Sequence, residues 1–329
     1  DESEPGTFKE RNIMEGDPFS LIEAMTIAGY AVGAENGWIF IRGEYPRAYQ
    51  RLVNAVEKAY EAKLLGKHIL NIANFNFNIE VRLGAGAYIC GEETALFEAI
   101  EGKRGFPRIK PPFPTTHGLF NQPSSVNNVE TLVAMLAALR VGTEQWRTYG
   151  TADSPGTKLF CLSGHVTKPG VYEVPFGLTI QELIEMAGGV PDGKQLQAVL
   201  MGGAAGAFVG PDQLDMPLTY EDARAKNIPL GSGVIMVFDE TADLRQALYE
   251  LSRFFAHESC GKCFPCQLGT QRQMEILARI GRGDVRTSDK DTLLDVGFAM
   301  TETSLCGLGQ TAASAVISAI NLWPELVTN

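Results

Sequence analysis

Four of the six cysteines in this sequence have the spacing of metal ligands. Cys260, Cys263 and Cys266 are each separated by two residues, and Cys306 follows forty positions later. A structural zinc site usually takes its thiolates as two separated pairs. Three close thiolates and one distant thiolate instead suit a 4Fe–4S cube, in which one loop binds three irons and another element binds the fourth. We predict such a cluster and keep a zinc site as the alternative.

A glycine-rich turn is the second candidate site. Gly84, Gly86 and Gly91 stand between residues 79–83, which alternate apolar and charged as in a strand, and the helical pattern of residues 95–100. A strand, a glycine turn and a helix N-terminus together form the usual geometry of a nucleotide site. The pattern therefore indicates a bound nucleotide, although a glycine turn alone is weak evidence.

The same turn departs from both common nucleotide fingerprints. Ile89 replaces the third glycine of the Rossmann pattern, and Glu92 replaces the lysine of the phosphate-binding loop. A carboxylate here would repel a triphosphate but could accept hydrogen bonds from ribose hydroxyls. Glu92 and Glu93 could equally stabilise the positive end of their own helix. Both interpretations stay open from the residues alone.

Two further loops carry groups that could contact a nucleotide. Lys110 and Phe113 lie in a proline-rich loop that would hold a cation and an aromatic ring in place. Asn127 and Asn128 precede a helix and could either cap that helix or help offer backbone amides to a phosphate.

Composition excludes several classes of function. The chain has 329 residues and a formal net charge of −11, which argues against nucleic acid as the main partner. No stretch approaches the roughly 20 apolar residues of a membrane helix, so we expect no membrane insertion. Six cysteines are too few for a disulfide scaffold of this length and favour a reducing compartment. The length predicts two or three domains at about 150 residues each.

Three segments with different patterns divide the chain. Residues 1–151 alternate helices, over 18–29 and 46–65, with strands over 37–42 and 75–83, which predicts an α/β domain of atypical Rossmann type. In the second helix we place Leu52, Val53, Val56, Tyr60 and Leu64 on one side.

The second segment, residues 158–240, predicts an α+β domain of β-grasp (ubiquitin-like) type. Its strands fall over 158–163, 170–174, 199–201 and 233–238, and a capping box of Thr179 and Glu182 opens a short helix.

The third segment, residues 241–329, predicts a four-helix bundle that carries the cysteines. The apolar residues with helical spacing are Leu244, Leu248, Leu251, Phe255, Ile276, Leu277, Ile280, Leu293, Leu294, Phe298, Met300, Val316, Ile317 and Ile320.

Several long motifs occur in one order that is typical of a single family. They are DESEPGTFKER, GAGAYICGEETAL, PRIKPPFPTTHGLF, NNVETL, ESCGKCFPC and SLCGLGQ. The chain resembles the NADH-binding flavoprotein (51 kDa-type) subunit of respiratory NADH:quinone oxidoreductase, complex I. It is equally similar to the diaphorase subunits of NAD-dependent formate dehydrogenases and NAD-reducing hydrogenases.

The resemblance implies the cofactors FMN, NAD(H) and a 4Fe–4S cluster, together with the residues that bind them. Its flavin-contacting positions match Asp1, Glu2, Tyr88, Gly91, Glu92, Asn127, Asn128 and Thr131 here. Its NADH-contacting positions match Glu4, Glu93, Lys110 and Phe113, with Glu93 orienting the nicotinamide end as the catalytic residue. Its cluster ligands match the four cysteines.

The resemblance also implies an activity and partners. We expect hydride transfer between NADH and FMN, followed by single-electron transfer to the cluster. Onward acceptors would be a small thioredoxin-like 2Fe–2S subunit and a larger iron–sulfur subunit. We expect this protein to be cytoplasmic, at the cytoplasmic face of a membrane-bound complex. A non-catalytic scaffold with a zinc site is the alternative of another class.

The beginning of the sequence differs from the family pattern. The family has a flavin-binding loop close to GRGGAGFPTGLKW just before DESEPG, whereas this sequence starts at Asp1 without Met or a signal peptide. We expect the loop to precede residue 1 in a longer protein.

Overall fold

The computed structural model describes residues 1–72 and 74–328, which form two compact units. The first unit contains Asp1–Ser3 and Phe8–Trp146, and the second contains Glu4–Thr7 and Arg147–Asn329. The division of the chain into three domains stays a prediction, since the second unit contains both the predicted β-grasp segment and the helical segment.

The first unit has a two-stranded parallel sheet covered by helices. Its elements are α1 (Lys9–Gly16), α2 (Pro18–Val32), β1 (Asn36–Ile41), α3 (Pro46–Glu61), β2 (Asn78–Leu83), α4 (Glu93–Ile100), α5 (Val129–Val141) and α6 (Thr143–Trp146). The sheet aligns Asn36 with Asn78 and Ile41 with Leu83. Parallel strands end at the same edge, so the segments after β1 and β2 meet there.

The buried face of α3 differs from the predicted one. Leu52 and Val56 are buried as expected, but the rest of the face is formed by alanines, Ala48, Ala55 and Ala59. Tyr60 and Leu64 are exposed, because the helix ends at Glu61 and the Tyr60 hydroxyl accepts the backbone N–H of Ile79 at 3.1 Å. Three of the five buried positions of α3 are therefore alanines, beside Leu52 and Val56.

The second unit contains a mixed five-stranded sheet with strand order β4-β3-β7-β5-β6. Its elements are β3 (Thr157–Gly164), β4 (Gly170–Pro175), α7 (Ile180–Met186), β5 (Leu196–Met201), β6 (Ala207–Val209), α8 (Tyr220–Lys226) and β7 (Val234–Asp239). The first and last strands, β3 and β7, pair in parallel at the centre, and all other neighbours are antiparallel. The capping box of Thr179 and Glu182 is present as predicted.

Helices form the rest of the second unit. They are α9 (Leu244–Glu258), α10 (Phe264–Gly281), α11 (Asp289–Thr303), α12 (Gly307–Thr311) and α13 (Ser314–Leu322). The prediction of four helices missed the short α12, which has five residues and no apolar repeat. On α11, Leu293, Gly297 and Met300 are buried, whereas Phe298 is 69% exposed and does not belong to the core.

No described helix combines the length and the apolar character needed to cross a bilayer.

Candidate functional site

The glycine turn lies at the edge where the two parallel strands end. The backbone N–H of Gly84 donates to the carbonyl oxygen of Ile41 at 2.7 Å, and a Cβ at Gly84 would stand 2.6 Å from the Phe40 ring. Gly86 has φ +78°, and a Cβ there would be 2.5 Å from the Glu44 carboxylate. Both positions therefore require glycine, which holds the turn close against the end of β1.

Gly91 has a different environment from the other two glycines. A Cβ at Gly91 would meet only the carbonyl oxygen of Asp1, at 3.6 Å. Packing within the described residues therefore does not require a glycine at position 91.

Glu92 acts as the N-cap of α4. One of its carboxylate oxygens accepts the backbone N–H groups of Thr94 and Ala95, both at 2.9 Å, and its other oxygen lies 3.0 Å from Lys110 Nζ. Burial opposes the charge, but these hydrogen bonds outweigh it and lower the pKa of Glu92. The capping interpretation of Glu92 is therefore realised in the structure.

Glu93 and Phe113 are the more accessible members of this group. The Glu93 carboxylate pairs with Lys110 Nζ at 2.5 Å and is 37% exposed, while Phe113 is 56% exposed. Lys110 thereby connects its loop to the first turn of α4. An accessible carboxylate that pairs with a cation, and an exposed aromatic ring three residues further along the same loop, are groups that can contact the ribose hydroxyls, phosphates and ring of a dinucleotide.

Asn128 caps α5, as its sequence position suggested. Its side chain accepts the backbone N–H of Glu130 at 2.9 Å, and the Asn127 amide donates to Ser125 Oγ at 3.1 Å. Thr131 follows in the first turn of α5 and is exposed. The N-terminus of this 13-residue helix carries the positive end of the helix dipole.

Glu2 is engaged with the protein itself. Its carboxylate accepts the backbone N–H groups of Glu10 at 2.8 Å and Arg11 at 3.1 Å, and the Tyr45 hydroxyl at 3.0 Å. Burial raises the pKa of Glu2 to about 7. In this structure the Glu2 side chain therefore caps the N-terminus of α1 by accepting two of its backbone N–H groups. The predicted contact between Glu2 and the flavin stays a prediction.

Asp1 offers an acceptor near the turn. Its carboxylate oxygen Oδ2 is buried and has no hydrogen-bond partner among the described residues. A buried acceptor of this kind costs free energy unless a donor reaches it. The isoalloxazine and ribityl groups of FMN carry such donors, so the residues around Gly91 fit this cofactor.

Glu4 belongs to the second unit, whereas the other predicted NADH residues belong to the first. Its carboxylate accepts the backbone N–H of Ala205 at 3.0 Å, in the turn that precedes β6. Burial raises the pKa of Glu4.

The four cysteines come together in the second unit although Cys306 is distant in sequence. Cys260 follows α9, Cys263 is the N-cap of α10, Cys266 lies in its first turn, and Cys306 is the N-cap of α12. Burial raises the pKa of the Cys266 thiol to about 11, and the negative charges of the other three thiolates add to this rise. Such mutual repulsion requires proximity, and it is relieved when a cationic metal centre takes the thiolates.

The arrangement suits a cluster better than a single ion. Three of the thiols come from one loop and the first turn of α10, and the fourth comes from the start of α12. A zinc ion needs its ligands at about 2.3 Å from one point, whereas a cube distributes its thiolates over four separate irons. Cys306 also accepts the backbone N–H groups of Leu308 and Gly309, which stabilise a thiolate.

Sequence reasoning missed one polar residue at this centre. The hydroxyl of Ser259 lies 3.3 Å from Cys266 Sγ. Its position directly before Cys260 was the available signal, but its contact with a sulfur seven residues away follows only from the folded loop.

Comparisons with known proteins agree with the two sites. Residues 1–137 match the model of the Nuo51 FMN-binding domain, residues 246–329 match the NADH-ubiquinone oxidoreductase-F iron-sulfur binding region, and residues 159–203 match the SLBB domain.

Full-length relatives extend the agreement to the whole chain. The F subunit of NADH-quinone oxidoreductase in Mycobacterium tuberculosis is 43% identical, with 97% of this chain and 72% of the relative covered. The same subunit in Aquifex aeolicus is 44% identical, with 99% and 75% covered. The NADP-reducing hydrogenase subunit HndC of Solidesulfovibrio fructosivorans is 43% identical, with 98% and 65% covered.

A solved structure shows the same fold. An NAD+-reducing NiFe hydrogenase in the H2-reduced state matches with a TM-score of 0.90 and 38% identity over 99% of this chain, which spans 55% of that hydrogenase chain. The motif order, the two sites and these matches together establish that the chain belongs to the family of NADH-quinone oxidoreductase F subunits and their hydrogenase counterparts, flavoproteins with an FMN-binding domain and a 4Fe–4S region.

Proposed function

We propose that this chain is the NADH-oxidising module of a larger electron-transfer complex. The observation that carries the proposal is that the first turn of α12, which follows Cys306, packs against Cys266: a Cβ on Gly309 would stand 2.8 Å from the Cys266 Cβ. The same chain also holds a nucleotide-type turn. A chain that combines both sites can collect electrons at one and release them at the other.

FMN, when bound, supplies the conversion of a two-electron hydride donor into single electrons. The residues of the chain supply position and charge. The turn around Gly91, the start of α5 at Asn127, Asn128 and Thr131, and the Asp1 acceptor would hold the flavin. No side chain has to donate a proton in the hydride step, because alignment of the two rings lowers the barrier.

NADH would bind over the same edge of the first unit. Phe113 would stack on a ring of the dinucleotide, Lys110 would face its phosphates, and Glu93 would orient the nicotinamide end.

We further propose the surroundings of the module. Residues 158–240 would form a β-grasp domain, supported by the parallel pair of β3 and β7, with β4 antiparallel beside β3 and the β5–β6 hairpin beside β7. Electrons would leave to a thioredoxin-like 2Fe–2S subunit and a larger iron–sulfur subunit, on the cytoplasmic face of a membrane complex.

A second parent complex is supported by specific relatives. The hydrogenase subunit of Solidesulfovibrio fructosivorans and the hydrogenase structure are about as similar as the complex I subunits. The chain would then be the diaphorase subunit of a hydrogenase or of a formate dehydrogenase. Identifying the subunits that co-purify with the native protein separates these two assignments.

The function itself is tested on the full-length protein prepared without oxygen. We expect one FMN and about four irons per chain, a brown colour, and bleaching of the visible absorbance on addition of NADH. A colourless protein that contains zinc would overturn the proposal and support a scaffold role.

A further inference from the structure

Two serine hydroxyls lie near Cys266. The first is Ser259, at the end of α9, whose Oγ is 3.3 Å from Cys266 Sγ. In a free thiol either atom could donate. A cysteine that ligates iron has lost its proton, so Ser259 must then be the donor and Cys266 the acceptor.

The second hydroxyl belongs to Ser304, at the end of α11. Ser304 is only 6% exposed, and its Oγ has no hydrogen-bond partner among the described residues. A hydroxyl that is buried without a partner costs folding free energy. A negatively charged sulfur of the cluster would supply the missing acceptor.

Gly309 shows that Ser304 lies on the Cys266 side of the centre. A Cβ on Gly309 would collide with Ser304 Oγ and would stand 2.8 Å from the Cβ of Cys266. The absence of a side chain at Gly309 thus lets the Ser304 hydroxyl and the Cys266 Cβ lie on either side of one narrow space. The hydroxyls of Ser259 and Ser304 therefore both lie near Cys266, one of the predicted cluster ligands.

We propose that Ser259 and Ser304 donate hydrogen bonds to sulfur at the Cys266 corner and thereby raise the reduction potential of the cluster. The reason is electrostatic: an added electron makes the cluster more negative, and a donor that faces sulfur stabilises the reduced state more than the oxidised state. This inference rests on the proposed function, because it requires the 4Fe–4S cluster. Both serines are positioning residues for electron transfer, since neither is a ligand.

The test measures the midpoint potential of the cluster by EPR-monitored redox titration of the full-length protein. Ser259→Thr keeps the hydroxyl, and Ser259→Val has the same shape without it. We expect Ser259→Val to shift the equilibrium about tenfold toward the oxidised cluster, which is about 59 mV lower for a one-electron couple. Ser259→Thr should stay near the wild type.

Two further variants complete the design. Ser304→Ala should also lower the potential. Thr303→Val is the matched control, because the Thr303 hydroxyl is exposed and already donates to the carbonyl oxygen of Ala299 at 2.6 Å. Its potential should be unchanged.

The outcomes separate this inference from the proposed function. An unchanged potential in Ser259→Val and Ser304→Ala, with four irons bound, overturns the inference and leaves the function intact. If Ser259→Val loads no iron, Ser259→Ala replaces it. Loss of iron in every variant without the hydroxyl, with full loading in Ser259→Thr, would also overturn the inference, because the hydroxyl would then serve assembly. No iron in the wild type would instead overturn the proposed function.

Discussion

Lys110 Nζ lies 2.5 Å from the carboxylate of Glu93 and 3.0 Å from that of Glu92, so one cation bridges two consecutive acids at the start of α4. Burial opposes the charge on Lys110, but the two carboxylates outweigh it and raise its pKa. Glu92 also caps the helix, whereas Glu93 is partly exposed. The bridge therefore leaves Glu93 as the acid that an incoming dinucleotide can reach.

Replacing Glu93 by glutamine should weaken the interaction with NADH while FMN stays bound. Loss of one charged hydrogen-bond partner corresponds to about 1–3 kcal/mol, hence a roughly tenfold or larger fall in kcat/KM for NADH with ferricyanide. Flavin fluorescence after denaturation gives the FMN content. Glu80→Gln is the control, because Glu80 pairs with Arg82 at 2.7 Å on exposed β2. Unaltered NADH kinetics in Glu93→Gln would remove Glu93 from the site.

Glu92→Ala should destabilise the first unit. The variant loses the acceptor of two backbone N–H groups at the start of α4, which corresponds to about 1 kcal/mol for an N-cap. Glu92→Gln retains a side-chain oxygen that can accept these hydrogen bonds, so its unfolding free energy should fall clearly less than that of Glu92→Ala. Chemical denaturation of both variants checks this order. Equal stability of Glu92→Ala and the wild type would show that the cap contributes little.

Cys263→Ala should abolish the cluster and lower the melting temperature of the second unit, since metal ligation contributes to folding free energy. Iron analysis and calorimetry are the measurements. Cys161→Ala is the matched control: Cys161 is fully buried in β3, so its loss affects packing but should leave about four irons per chain. Retention of all four irons in Cys263→Ala would contradict the ligand assignment.

Stability should fall as the pH rises through the range from 4.5 to about 7, because burial raises the pKa of Glu2 from 4.5 to about 7. A raised pKa means that the folded state binds the proton more tightly than the unfolded state. The stabilisation that Glu2 contributes is therefore complete below pH 4.5 and is lost as the pH rises past the folded-state pKa of about 7. This stabilisation amounts to up to about 3 kcal/mol of unfolding free energy.

The groups that face Glu2 do not reverse this sign. They are Glu10, Arg11, Arg42 and Tyr45. Hydrogen bonds to Glu2 and the charge of Lys9 outweigh the effect of burial and lower the pKa of Glu10 to about 2. Glu10 therefore affects the pH dependence of stability below pH 4.5, outside the range in which Glu2 does. Unfolding free energies at pH 5 and pH 8 should differ less in Glu2→Gln than in the wild type. An identical pH dependence in both would refute the assignment to Glu2.

Local patterns predicted most of the elements. Several elements lie close to their predicted positions: the capping box at Thr179, the strands β1 and β2, and the helices α9 to α11 and α13. Their sequence signals involve residues that are close together in the chain. The errors have a common origin. Tyr60, Leu64 and Phe298 were assigned to apolar faces by spacing, but the opposing surface decides which side of a helix is buried. The short α12 has too few residues for any periodicity.

The amino-acid sequence alone shows the chemistry available to this protein: four thiols at ligand spacing, a glycine turn with acids in place of a lysine, and motifs in the order of one family. Which of these groups meet depends on the tertiary structure. It brought Cys306 beside three distant thiols, assigned Glu92 and Glu2 to helix caps, and placed Ser259 on a sulfur. Such contacts depend on how separate helices and turns pack. No property of neighbouring residues encodes the distance between side chains that are far apart in the sequence.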